Sequence, residues 1–280
     1  MIGKRLSHLL KYGRLRWLGK PLYEGLIAAE LAWIRWRERE SLSFAPTPLV
    51  DGNLTAIVKT FERPKTLRRL IDSIRRCYPN LRVIVADDSK TPSFFEGMQT
   101  IALPYDSGVS LGRQRALEAV ETPYVLLLDD DFIFYRETKL EEALQRMEKN
   151  RQIDIMGGEV VNLPSFKALE YKNAGLHPTE SRSLIAPGTL IDGMPVYDKV
   201  PNFYIARTER LRLVGWDPRI KRLDHADFFT RAKGVLLTVM NKELKVLHAQ
   251  TPHNRAYMQK RHDIQQDRTV LRMKYYLGRL

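Results

Sequence analysis

Three aspartates, Asp129, Asp130 and Asp131, stand in a row directly after the apolar run Val125-Leu126-Leu127-Leu128. More apolar residues follow. A continuously apolar run is expected of a strand buried on both faces of an α/β sheet. Three carboxylates at its end repel one another and raise one another's pKa unless positive charge sits among them. A divalent cation meets that need, because Mn²⁺ or Mg²⁺ takes hard oxygen ligands and bridges protein carboxylates to substrate phosphates. Ligands of open α/β sheets also bind beyond the carboxyl ends of strands. The alternative is a solvated acidic turn, and the rest of the chain has to separate the two. A second acidic pair, Asp87-Asp88, ends another apolar run. Later, Asp224, His225 and Asp227 lie close together, and His248 follows a short strand-like segment.

The elements that must position these residues follow from periodicity. Residues 54–59 read as a strand, 60–63 as a loop and 64–77 as a helix, with Leu67, Leu70, Ile71 and Ile74 on one stripe and Pro64 in the first turn. Residues 81–86 read as a second strand. This β-α-β order implies parallel neighbours joined by a right-handed crossover. A short strand is expected at 100–103, a turn-rich loop at 106–112 and a helix at 113–120. After the strand at 124–128 comes a helix at 138–149. A strand at 153–161 is expected to break at Gly157-Gly158. Residues 162–195 are turn-rich. A strand at 200–207, a short helix at 209–214, a helix at 227–233 and two short strands at 236–240 and 244–247 complete the pattern.

The 280 residues carry 46 Lys+Arg against 33 Asp+Glu, a formal net charge of +13 that calls for an anionic partner. The single cysteine, Cys77, excludes an internal disulfide. No Cys/His set has zinc spacing, and no run of apolar residues is long enough to span a bilayer. Residues 1–44 differ from the remainder. The first 20 carry six Lys and Arg and no acid, with leucines and Trp17 interleaved. Pro21 is expected to break this segment from a second amphipathic helix at 22–36. Basic residues with Trp and Leu suit an interfacial helix on an anionic leaflet, and packing on the chain's own domain is the other reading. The expected organisation is a basic helical extension over 1–44, a linker over 45–53, an α/β domain over 54–250 and a basic helical tail over 251–280. The expected location is cytoplasmic, at the inner face of a membrane.

The order of these segments resembles the GT-A-fold glycosyltransferases, broadly the inverting family 2 enzymes. More closely it resembles the β-1,4-N-acetylgalactosaminyltransferases of ganglioside synthesis. Segments 73–79, 85–89, 124–132, 202–208 and 214–219, Gly112-Arg113 and the His225-x-Asp227 pattern carry the resemblance. It covers roughly residues 54–250 and leaves out both termini. It implies a mostly parallel Rossmann-like sheet and a UDP-sugar donor. It places Thr60 and Asp88 at the uracil ring, with Asp87 as the neighbouring alternative, and Arg113 near the donor. Asp129, Asp130 and Asp131 match the Asp-x-Asp signature: Asp131 is expected to bind the metal, Asp130 the ribose or the metal's surroundings. His248 matches a C-terminal histidine that completes the metal site, a role imidazole suits.

An inverting transfer also needs a base for the acceptor hydroxyl. Related enzymes show Glu-Asp-x-Asp here, and this chain has Asp224-His225 in place of the Glu-Asp pair. Asp224, His225 and Asp227 are therefore the candidates, Asp227 first; Asp224 could instead be only a helix cap. The acceptor is expected to be a glycan or glycolipid. A sugar nucleotidyltransferase would carry a glycine-rich loop after the first strand, and residues 60–64 contain no glycine. A basic nucleic-acid-binding protein would not place three tandem acids where phosphates bind.

Overall fold

In a computed structural model, residues 16–38, 47–169 and 175–277 are described. The sheet is built as the apolar runs require. Strand β1 (Leu54–Thr60) pairs in parallel with β2 (Arg82–Asp87) and β4 (Tyr124–Asp129), and β2 pairs with β3 (Gln99–Ala102). Helix α3 (Pro64–Cys77) makes the first crossover and buries Leu67, Leu70 and Ile74 on the sheet. Beyond β4 the direction alternates. Strand β10 (Tyr204–Arg207) runs antiparallel between β4 and β6 (Ile155–Asn162), then β11 (Thr238–His248) runs parallel to β6, and β5 (Phe132–Ile133) closes the edge against β11. The sheet order is β3-β2-β1-β4-β10-β6-β11-β5, with β7 (Lys167–Ala168) on β6. A separate small ribbon joins β8 (Leu190–Ile191) to β9 (Met194–Pro195). The acidic ends of β2 and β4 flank the end of β1, because the registers pair Thr60 with Asp87 and Lys59 with Asp129.

Several expectations are corrected. The 153–161 strand does not break at its two glycines. A Cβ at Gly157 would lie 2.5 Å from Val200 Cβ, and one at Gly158 2.5 Å from the Phe203 ring, so the glycines admit these side chains against an unbroken strand. The two strands expected at 236–247 are one, β11, with its register shifted between Asn241 and Lys245. The linker over 45–53 contains α2 (Pro48–Asn53), where Glu141 accepts from the amides of Leu49 and Val50 at 3.2 and 3.0 Å and Val50 is buried. Helix α4 (Val109–Glu118) begins four residues early and takes in Gly112.

At the N-terminal side, Pro21 does not end a helix: α1 (Arg16–Glu38) runs through it. Proline forfeits one backbone hydrogen bond. The buried stripe Ile27, Leu31 and Ile34, packed on Ile133, Leu163, Leu247 and Ala249, holds the helix in place. The 251–280 tail is helical over α8 (Arg255–His262) and α9 (Gln265–Tyr275), and residues 278–280 lie outside the described part. The expected first basic helix falls largely on residues 1–15, also outside it.

Candidate active site

The carboxyl ends of β1 and β4, the start of α4, the loop before α7 (Asp224–Ala232), the end of β11 and α8 surround one cavity that opens to solvent. Its walls carry seven Lys or Arg side chains and five aspartates, so even with the acids in place the cavity favours an anionic ligand. The triple aspartate is its floor. Asp130 and Asp131 are 1% and 4% exposed. Thr60 Oγ1 donates to Asp130 Oδ2 at 2.7 Å. Arg63, from the β1–α3 loop, grips both oxygens of Asp130 and donates to Asp131 Oδ2 at 3.0 Å. The Arg63 guanidinium lies 3.9 Å from the centre of the Tyr257 ring on α8.

These neighbours split the two acids. Burial pushes Asp130 up to about 6, against the pull of Arg63. Burial also works on Asp131, but Arg63 and His248 outweigh it and hold its carboxyl well below the usual range. His248 Nε2 stands 3.3 Å from Asp131 Oδ1, and its Nδ1 is 2.9 Å from Asn162 Oδ1. With Nδ1–H donated to the Asn162 oxygen, the Nε2 lone pair faces a carboxylate oxygen, and a cation between them satisfies both. The pair therefore fits as two protein ligands of a divalent ion. Among the described residues no three or more His, Cys, Asp or Glu side chains could hold a metal, and an ion on this pair would take its further ligands from water or substrate phosphates.

Arg113, on the first turns of α4, is buried and links the floor to the far wall. It donates to Asp129 Oδ1 and to Asp224 Oδ2, both at 2.6 Å. Burial alone would lower its pKa; Asp224 and Asp129 outweigh that and raise it. Asp224 is the first residue of α7, and its side chain turns to Arg113 instead of capping the helix. Burial raises its pKa, and Arg113 restrains the rise.

The other site residues expected from the sequence are placed as follows. Asp88 meets Lys59 Nζ at 2.5 Å and the Gly108 amide at 2.8 Å. Burial lowers the Lys59 pKa while Asp88 supports its charge, and Lys59 lines the cavity. A Cβ on Gly112 would stand 2.4 Å from Lys59 Cγ, so glycine there lets the lysine through. Asp87 accepts from the amides of Ser89 (2.9 Å) and Ser93 (2.8 Å) and organises the loop after β2. Neither Asp87, Asp88 nor Thr60 lines the cavity. Asp227 points away from it, held by Arg231 (2.9 Å), Lys274 (2.6 Å) and Tyr275 (2.7 Å). His225 lies 2.7 Å from the Val200 carbonyl, and burial pushes its imidazole down to about 3. Of the three base candidates only Asp224 faces the cavity.

Sequence reasoning missed the C-terminal contribution. Tyr257, Lys260 and Arg261 of α8 line the cavity, and Asp267 of α9 accepts from the amides of Lys221, Arg222 and Leu223 at 2.9, 2.6 and 2.9 Å. A tail rich in Lys and Arg gave no sign of this beyond its charge. Arg63 was also legible only as a loop residue.

This sheet, with its acids and histidine at one end, is that of a GT-A glycosyltransferase. Two solved structures share the fold. One is S. aureus TarS 1-349 in complex with UDP-GlcNAc (16% identity, TM-score 0.53, 70% of this chain and 58% of that one). The other is the mannosyltransferase PcManGT from Pyrobaculum calidifontis in complex with GDP-Man and Mn2+ (15%, 0.51, 90% and 76%). Residues 55–182 match the family described as Glycosyl transferase family 2, and the chain carries a domain of that family. It is 39% identical over 200 residues to mouse beta-1,4 N-acetylgalactosaminyltransferase 2 and 35% over 224 residues to human beta-1,4 N-acetylgalactosaminyltransferase 1. These alignments take in 69% and 74% of this chain but only 38% and 42% of the relatives' lengths.

Proposed function

We propose that this protein transfers a sugar, an N-acetylhexosamine or hexose, from a UDP-sugar to a hydroxyl of a glycan or glycolipid by a single inverting displacement. The observation that carries this reading is the convergence of Asp131, His248 and the cationic cavity walls at the strand ends. The likeness to N-acetylgalactosaminyltransferases supports the choice of sugar, and the neighbour bound to UDP-GlcNAc supports a nucleotide-sugar donor. Mn²⁺ or Mg²⁺, held by Asp131 and His248 together with the donor's phosphates, would stabilise negative charge on the departing diphosphate. The neighbour that carries Mn2+ supports that cofactor.

The chain's own groups divide the remaining work. Lys59, Lys221, Arg222, Lys260 and Arg261 surround the space for the diphosphate and neutralise it. Asp130, between Thr60 and Arg63, fixes the guanidinium that borders the metal ligands. Asp224 takes the proton of the acceptor hydroxyl as its oxygen attacks the anomeric carbon and the bond to the diphosphate breaks. Its raised pKa suits a base, and Arg113 restrains the rise and holds the carboxylate in place.

The test is a screen of UDP- and GDP-sugars with the full chain and Mn²⁺, read by donor hydrolysis and melting temperature. A UDP-sugar that raises the melting temperature only with metal, and is hydrolysed, is the expected result. Stabilisation by GDP-sugars alone, or by none, would sink the reading.

A further inference from the structure

Helix α1 has two apolar stripes, and among the described residues only one is packed against the domain. Ile27, Leu31 and Ile34 are 3%, 5% and 6% exposed and pack on the sheet edge. Leu22, Leu26, Trp33 and Trp36 are 53%, 56%, 49% and 67% exposed, and Ala29 between them is exposed as well. At 3.6 residues per turn these five fall within about 80° of one another, and their centre lies about 150° from the buried stripe. The two readings of this extension, packing on the domain and resting on a membrane, are therefore compatible, because they use different sides of one helix.

Charge decides what covers the free side. The acids of α1 are turned elsewhere: Glu38 is buried against the Arg136 amide at 3.1 Å, Glu24 lines a groove facing α3, and Glu30 Oε2 is buried. Arg37 lies over Trp33 at 5.3 Å. The first 20 residues of the chain add six Lys and Arg and no Asp or Glu. A second copy of this chain would carry the same excess of cations and no acid to offset it over its first 20 residues. Anionic headgroups would neutralise them, while Trp33 and Trp36 suit the level between headgroups and acyl chains. We infer that the Leu22–Leu26–Ala29–Trp33–Trp36 face docks on an anionic lipid bilayer. The buried side of the same helix touches Ile133 and Leu247, which neighbour the site residues Asp131 and His248. A surface-docked enzyme would thus hold its cavity close to lipid-borne acceptors. This inference goes beyond the catalytic reading, and its test does not depend on turnover.

The experiment uses the full chain and the variant carrying Leu22→Ser, Leu26→Ser, Trp33→Ser and Trp36→Ser together. Flotation is measured with phosphatidylcholine vesicles and with vesicles containing roughly one third phosphatidylserine. The unaltered chain should float with the anionic vesicles and less so at high salt. The variant, folded by circular dichroism and with the melting temperature of the unaltered chain, should bind about tenfold or more weakly. Failure of the unaltered chain to float at low salt would overturn the inference, and so would equal flotation of the variant. Light scattering that shows a dimer made monomeric by the variant would assign the face to a second copy and overturn it too.

Discussion

Arg63 donates to Asp131 at 3.0 Å while the same guanidinium grips Asp130, so the acid pair carries its own counter-cation. Removing one partner of a buried ion pair leaves the other charge unpaired and costs about 3–5 kcal/mol. Arg63→Ala should therefore lower stability by an amount of that order. If Asp131 and His248 are ligands, millimolar Mn²⁺ should recover part of the loss, because it replaces the missing charge. Thermal melts with and without Mn²⁺ test this. A variant as stable as the parent, or one that Mn²⁺ leaves unmoved, would contradict it.

Asp224 and Asp227 are separated by one turn of α7 yet face different surroundings. Asp224→Asn keeps shape but removes the base. Turnover should fall about 10²–10⁴-fold, with UDP affinity nearly unchanged. Asp227→Asn instead weakens the anchors from Arg231, Lys274 and Tyr275, and should lower the melting temperature while the folded fraction retains its turnover. Steady-state kinetics and melting curves on both variants check the assignment. Loss of turnover only in the Asp227 variant would move the base role to that residue.

The strands that carry the acids are legible in the sequence because buried central strands must be apolar throughout, and α3 because its stripe has helical period. The triple aspartate and His248 are legible as types of ligand. What escapes is set by contacts far apart in the chain. Gly157 and Gly158 read as a break, but they admit Val200 and Phe203. Asp227 reads as the preferred base, yet its partners lie nearly 50 residues later, at Lys274 and Tyr275. Arg63 has no local signature, since its role depends on a strand about 70 residues away.

His225 gives the stability curve a predictable slope. Its folded pKa of about 3 lies below the ordinary value of 6.5 because burial disfavours the charged ring. Between those values the unfolded chain binds the extra proton, so this group's contribution is present above pH 6.5 and is lost as pH falls toward 3. The slope is about 1.4 kcal/mol per pH unit at its steepest for one proton. Asp130, raised to about 6, acts in the opposite sense: ionising it costs stability as pH rises through that value. Comparing chemical denaturation at pH 7 and pH 5 for the parent and for His225→Gln isolates the first effect. The parent should lose more stability on acidification than the variant, and equal losses would refute the assignment.

Asp267 is the clearest case of the C-terminal helices shaping the site from outside it. Its carboxylate accepts three consecutive amides at residues 221–223, the loop that presents Lys221 and Arg222 to the cavity and leads into Asp224. It touches no substrate space, so it acts as a positioning residue. Asp267→Ala leaves three half-buried amides without that acceptor, at up to about 1–3 kcal/mol each where water does not replace it. With the loop freed, the donor KM should rise severalfold and the melting temperature should fall, while kcat at saturating donor declines less. Asp267→Asn, which keeps one acceptor oxygen, should fall between the two. A variant with normal KM and lower stability would reduce Asp267 to a structural cap and detach the tail from donor binding.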